Sequence, residues 1–288
     1  MPTVRYNSLT SVIKSLIAFR TFVVVLCCYS SLAYAADEDL PLWELGVGFG
    51  GFSTPQYMGS DERYTLPFAF PFPIYRGKRW WLDRAGLRGR LFSSEHLSLD
   101  LSLSGGLPVK NSNKARQGMP RLHLTGEIGP RLNWIFYRQQ GHDLRLMLPW
   151  RAAVNTKGKF VGALGEPELQ YIYQAPMNDG YLRWKLGLGA LHASQRYNDT
   201  YYGVAAAYAT ANRPVYQARS GLHSLFARVS LRYPLTHEWQ LFLSSRVRSL
   251  ASGVVKDSPL VRQNSYTTIA AGAIWMFSHA EETAAGEE

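Results

Sequence analysis

Apolar and polar residues alternate one by one along most of this 288-residue chain, and that period of two limits its fold more than any other feature. "LSLDLSLSG" sets Leu97, Leu99, Leu101 and Leu103 against Ser98, Asp100 and Ser102. "LRLMLPWRA" sets Leu144, Leu146, Leu148 and Trp150 against Arg145 and Arg151, and "LRWKLGLGALHAS" sets Leu182, Trp184, Leu186 and Leu188 against Arg183 and Lys185. "LFARVSLRYPL" and "WQLFLSSRVRS" repeat the pattern. Successive strand side chains point to opposite faces, so each segment reads as a strand with one greasy and one polar face. After Ala35 no run reaches the roughly 18 apolar residues that a membrane helix needs. A soluble sandwich also alternates, and two further features decide against it. Aromatics gather near strand ends (Trp43, Trp80, Trp81, Trp134, Trp150, Trp184, Tyr233, Trp239, Trp275), as in the girdles of a membrane barrel. Connections alternate between short ("SSEH", "RQQGHD", "APMNDG", "LTHEW") and long ("PVKNSNKARQGMP", residues 195–221, "GVVKDSPLVRQNS"). The pattern predicts an all-β, antiparallel transmembrane β-barrel.

The ends fit that compartment. Arg5, Lys14 and Arg20, the apolar "TFVVVLCCYSSLAYA" and Ala33-Tyr34-Ala35 read as a cleaved export signal over residues 1–35. Both cysteines, Cys27 and Cys28, lie inside it, so the mature chain has no disulfide, thiolate nucleophile or cysteine–zinc site. Without Arg5, Lys14 and Arg20, 28 basic residues face 21 acidic ones, a net charge of +7. These charges are spread along the chain rather than massed in a block, so no nucleic-acid partner is expected. The last strand, "SYTTIAAGAIWMF", ends on an aromatic at Phe277, and the acidic "SHAEETAAGEE" of residues 278–288 reads as a disordered periplasmic tail. The barrel is therefore expected over residues 36–277.

Counting back from Phe277 places strands near 239–252, 222–234, 181–194, 161–174, 143–154, 121–137 and 97–107. Before residue 93 the segments 43–51, 66–75 and 80–92 make eleven strands in all, and single-chain bacterial barrels have an even number. A break of 80–92 at "DRAG" gives twelve, the preferred count; loss of one early segment gives ten.

With the apolar faces turned to lipid, Arg88, Arg90, Arg131, Arg145, Arg151, Arg183, Lys185, Arg228, Arg232, Arg246 and Arg248 point inward, with Asp100, Glu127, Glu166 and Glu168. Placing Arg or Lys on the lipid face instead would cost roughly 2–4 kcal/mol at the midplane. The ordinary reading is a watery or salt-bridged interior; the functional one is a binding surface in an anion-favouring lumen.

Several segments carry a resemblance. "WELGVGFGGFSTPQYMGSDE", "DRAGLRGRLF", "LDLSLSGGLPV" followed by "ARQGMP", "EIGPRLN", "YYGV" and "LRYPLTHEWQLF" resemble the MipA/OmpV family of Gram-negative outer-membrane barrels over almost the whole mature chain. The resemblance implies an outer-membrane location, contact with membrane lipid and a non-enzymatic role. One member type is a scaffold linking a lytic transglycosylase, MltA, to a murein synthase; others are porin-like, adhesive or stress-responsive. It supplies no catalytic residue, and "GSDE" (Gly59–Glu62) and "YYGV" (Tyr201–Val204) have no assigned role. The scaffold is the first reading and a small anion-leaning porin the second.

An enzymatic reading is weaker. His192-Ala193-Ser194 fits the H-x-S pattern of outer-membrane lipid A deacylases, near the outer end of a strand. A His activates a Ser hydroxyl when a carboxylate orients its ring, and Asp199 is the only acid between Asp179 and Glu238. The pair therefore reads first as a strand rim. The other histidines lack metal-ligand spacing, so neither metal nor cofactor is expected. "GVGFGG" keeps barrel alternation with no Lys or helix start after it, unlike a phosphate loop.

Overall fold

The computed structural model describes residues 41–76, 80–83, 86–94, 96–177 and 180–282, without the side chains of 76, 80–83, 86–91 and 93. The expected export signal, with Cys27 and Cys28, lies outside the described residues, as do the side chains of Arg88 and Arg90.

Thirteen strands form one sheet: β1 (Trp43–Pro55), β2 (Arg63–Arg76), β3 (Trp80–Asp83), β4 (Gly86–Ser93), β5 (Leu97–Gly106), β6 (Thr125–Gln139), β7 (His142–Asn155), β8 (Phe160–Gly165), β9 (Glu168–Met177), β10 (Gly180–Ala193), β11 (Gly221–Pro234), β12 (Trp239–Ser249) and β13 (Ser265–His279). Each pairs antiparallel with its neighbours, and β13 pairs with β1, so the sheet closes on itself. β8 and β9 are two halves of one barrel strand. β8 pairs with the outer part of β7 and β9 with its inner part, and both pair with β10. The interruption falls at Glu166-Pro167, where proline cannot donate to a ladder. Counted this way the described residues make twelve barrel strands. The odd early segment resolves as the preferred count requires, with 80–92 dividing between Asp83 and Gly86 into a short hairpin.

The outward face is a greasy band, with Leu186, Leu188, Leu241, Leu243, Val247, Ile269 and Phe277 all exposed. Trp239 stacks on Trp275 at 5.8 Å between centroids, Trp275 meets Phe277 and Phe49 meets Trp239, all near the end that carries the chain termini. That end has the short turns, and is periplasmic by the rule that outer-membrane barrels keep their long loops outside. The wall also extends beyond Phe277. β13 continues to His279, Ala280 N–H donates to Trp43 C=O (2.9 Å) and Leu42 N–H to Glu282 C=O (2.8 Å). The tail expected from residue 278 thus begins inside a paired lip.

Alternation fails to describe one strand. β2, "RYTLPFAFPFPIYR", is apolar at nearly every position. Phe70 and Phe72 are in ring contact, Phe72 and Ile74 are buried, and Phe68 packs on Phe242, so the large side chains face inward. Thr65, Pro67, Ala69, Pro71 and Pro73 take the outer face. Opposite Phe68, Phe70 and Phe72, β1 turns Gly50, Gly48 and Gly46 inward; a Cβ at Gly48 would lie 2.7 Å from Phe70 Cζ. The interior is therefore divided into an aromatic wall on β1, β2, the inner part of β12 and β13, and a charged wall that runs from β5 to β11 and takes in the outer part of β12.

Candidate functional site

The charged wall is paired. Arg131 meets Asp100 at 3.1 Å, and Arg228 meets Glu168 at 3.2 Å. Arg145 and Arg138 hold Asp143, an inward acid whose odd position on β7 matches Arg145 and Arg151 and could have announced it. Arg151 bridges Glu127 (3.1 Å) and Glu166 (3.2 Å). Glu166 also takes Arg246 (3.3 Å) and Arg248 (2.6 Å), so one carboxylate serves three guanidinium groups from β7 and β12. Burial disfavours a lone charge, and each partner here offsets that penalty for the other. The Phe226 ring lies 5.0 Å from the Arg246 guanidinium and 4.8 Å from that of Arg248. Arg183 and Lys185 stand apart from this ladder, lower in the barrel.

The outer mouth is filled. Helix α1 (Gln195–Tyr202) follows β10 and buries Tyr197, Tyr201 and Tyr202. They pack with Tyr57, Val109, Leu122, Leu191, Leu250, Val255 and Tyr266, contributed by strand ends and by loops after β1, β5 and β12. Tyr202, 1% exposed, donates its hydroxyl hydrogen to Met58 C=O (2.9 Å), so it must accept from His223 Nε2 (2.8 Å). His223 Nδ1 then accepts from Ser224 Oγ (2.9 Å), which in turn accepts from Arg248 (2.8 Å). A single directed chain of hydrogen bonds thus joins the ion-pair ladder to the loops and fixes the imidazole tautomer. Burial pushes the Tyr57 phenol up to about 12 and raises those of Tyr201 and Tyr202.

The two unassigned motifs meet in this seal. "YYGV" supplies Tyr201, Tyr202 and buried Val204. In "GSDE", Gly59 takes φ +90°, a left-handed conformation suited to glycine. Its carbonyl accepts from Arg262 N–H (2.8 Å) and Gln263 N–H (3.1 Å), tying the first loop to the last. Ser60 accepts from Asn113, and Glu62 Oε1 accepts from Lys114 N–H (2.6 Å), which holds the loop after β5. Outside the seal lies a basic cavity of about 720 Å³ whose lining includes Arg116, Arg121, Lys157, Lys159 and Arg196.

His192 and Ser194 are placed near each other but not joined. His192 faces outward and is exposed, while Ser194 caps α1, its Oγ accepting from Tyr197 N–H (3.3 Å) and Ala163 N–H (3.0 Å). No hydrogen bond links the two among the described residues. The signal missed in the sequence was the capping position, visible only once 195–202 is known to be helical. Ser194→Ala is expected to loosen α1 by about 1 kcal/mol, read as faster trypsin cleavage within residues 195–220.

The family model for "MltA-interacting protein MipA" matches residues 47–277. The chain belongs to the MipA family. That match spans the strands from β1 to β13 and both motifs of the seal. A relative named "Putative outer membrane protein YiaT", from Escherichia coli K12, is 26% identical over 247 residues, which is 81% of this chain and 91% of the relative. The same protein of Escherichia coli O157:H7 matches equally. Solved outer-membrane structures align loosely. A bacterial polysaccharide outer membrane secretin has 8% identity and a TM-score of 0.39 over 84% of this chain and all of that one. Escherichia coli outer membrane phospholipase A has 12% identity and a TM-score of 0.30 over 84% and 94%. At these scores no residue or chemistry transfers. This MipA-family barrel is a protein of the outer membrane.

Proposed function

We propose that the protein is a non-enzymatic, electrically silent anchor in the outer membrane, holding a lytic transglycosylase of the MltA kind, and through it a murein synthase, at its periplasmic rim. The sealed mouth carries this reading. Fully buried Leu250, Val255, Leu260 and Tyr202 occupy the place where a porin would keep water, and Arg151, Arg246 and Arg248 are held by Glu127 and Glu166. With the body closed, action falls to the surfaces. The periplasmic lip, where residues 41–43 pair with 280–282, gives a short ordered edge beyond the barrel. The family's own description names an interaction with MltA, and the anchor reading extends it to this chain. Ser194 Oγ caps α1 and has no hydrogen bond to His192 among the described residues, which supports a structural role for it over a nucleophilic one.

The purified protein in planar bilayers should show no steady conductance, and crosslinking in intact cells should recover a murein-cleaving transglycosylase. Clear ion-selective channels together with no such partner would replace the anchor with the porin, and an anion preference would then point to the inward arginines.

A further inference from the structure

Below the ladder the interior changes character. A cavity of about 280 Å³ lies between Phe70 and Phe72 of β2, Phe242 of β12 and Ile274 of β13 on one side, and Arg183, Lys185 and Arg232 of β10 and β11 on the other. Ser230 and Ser244, 3.0 Å apart, lie between the two sides. Arg183 and Lys185 take no ion pair among the described residues, and Arg183 Nε is buried without a hydrogen-bond partner. Cationic groups facing an aromatic wall across an unfilled space match a ligand that is charged at one end and greasy at the other.

The wall beside this cavity has an opening. β2 pairs with β1 along its full length, but on its other edge only Tyr75 and Arg76 meet β3. β5 pairs with β6 through Leu101–Gly106, where no residue of β4 meets it. Among the described residues a lateral gap in the pairing therefore runs between β2 and β5, above the β3–β4 hairpin and below Tyr64, whose hydroxyl donates to Pro108 C=O (2.7 Å). Pro67, Pro71 and Pro73 share one parity. Since the β1–β2 ladder is unbroken, its bonds fall to the alternate residues and the three prolines face the free edge. Proline has no N–H to donate, so this edge is kept from recruiting another strand. Phe70 and Leu66, although turned inward, are 39% and 44% exposed beside the gap.

We propose that the cavity binds a single-chain anionic amphiphile drawn from the membrane through this gap. Its acyl chain lies along Phe70, Phe72 and Phe242, and its carboxylate or phosphate head pairs with Arg183 and Lys185. The head supplies the counter-charge that these two groups lack, and the phenyl wall excludes a small water-soluble anion as the better fit.

The full-length protein in a non-ionic detergent is titrated with laurate by calorimetry. Dodecanol supplies the chain without the charge, and inorganic phosphate the charge without the chain. Laurate should bind saturably at one site, with both comparators at least about ten times weaker, the range set by losing one charge-assisted contact. Lys185→Met and Phe242→Ala should each weaken laurate about tenfold or more while keeping the heat-modifiable gel mobility of a folded barrel. If Lys185→Met does not fold, Arg183→Gln carries the same expectation. Absence of saturable laurate binding overturns the proposal, as does laurate affinity unchanged in folded variants. Dodecanol binding as tightly as laurate would overturn the role of the cations, and phosphate doing so would reduce the cavity to a site for free anions.

Discussion

Replacing Tyr202 with alanine is expected to turn a silent barrel into a conducting one. The ring is 1% exposed and sits among Tyr57, Tyr201 and His223, and its hydroxyl ties Met58 of the first loop to β11. Its carbonyl also accepts from Ser258 Oγ (2.8 Å), so the loop after β12 hangs on the same residue. Truncating a buried aromatic costs about 3–5 kcal/mol, and the orphaned His223 Nε2 adds to it. The variant keeps the carbonyl that holds Ser258 but loses the ring at the centre of the seal and the tie between Met58 and His223, which is why the effect should reach permeability and not stop at stability. Planar-bilayer recording is the direct measurement, with urea unfolding alongside. Tyr202→Phe keeps the ring and should stay closed while losing about 1–3 kcal/mol for the unsatisfied partners. A Tyr202→Ala barrel that is silent and as stable as the parent would show that the seal does not depend on this side chain.

The second large effect is expected at Glu166. Removing this carboxylate in Glu166→Ala leaves Arg151, Arg246 and Arg248 facing one another, with Glu127 the remaining acid on Arg151. Breaking a buried pair from one side costs about 3–5 kcal/mol because the other charge stays behind. Arg248→Met should cost less, since Glu166 keeps two guanidinium partners, and the double variant should recover part of the Glu166→Ala loss. Urea titration followed by tryptophan fluorescence gives the three values, and the cycle isolates the coupling. Simple additivity of the two losses would mean that the contact between Glu166 and Arg248 is energetically idle.

The strand pattern was legible because one physical cause controls it. A residue between lipid and interior must choose a face, and charge makes the choice for it. Arg131, Arg145, Arg151, Arg228, Arg246 and Arg248 could thus be placed inward from parity alone, and the odd segment 80–92 could be split at "DRAG" from the even strand number. β2 was not legible in this way. Its alternation is between large and small apolar residues, and hydrophobicity carries no sign when both faces are greasy. Only the contacts of Phe68 with Phe242 and of Phe70 with Gly48 show that this strand turns its bulk inward.

The site divides along the same line. The sequence by itself determined that the chain crosses a membrane as strands, that its cations face the interior, and which family it belongs to. These are properties of local period and composition, fixed residue by residue. Only the tertiary structure decided that the cations are mostly paired, that "GSDE" and "YYGV" close the mouth together, and that Ser194 caps a helix instead of answering His192. It also decided that the "HAS" end of "LRWKLGLGALHAS" is a rim and its Arg183 and Lys185 the charged side of a cavity. The partners in these contacts lie tens to hundreds of residues apart, as Tyr202 and Met58 do, 144 positions from each other. Their meeting depends on how the barrel closes and how its loops fold back, which no local pattern encodes.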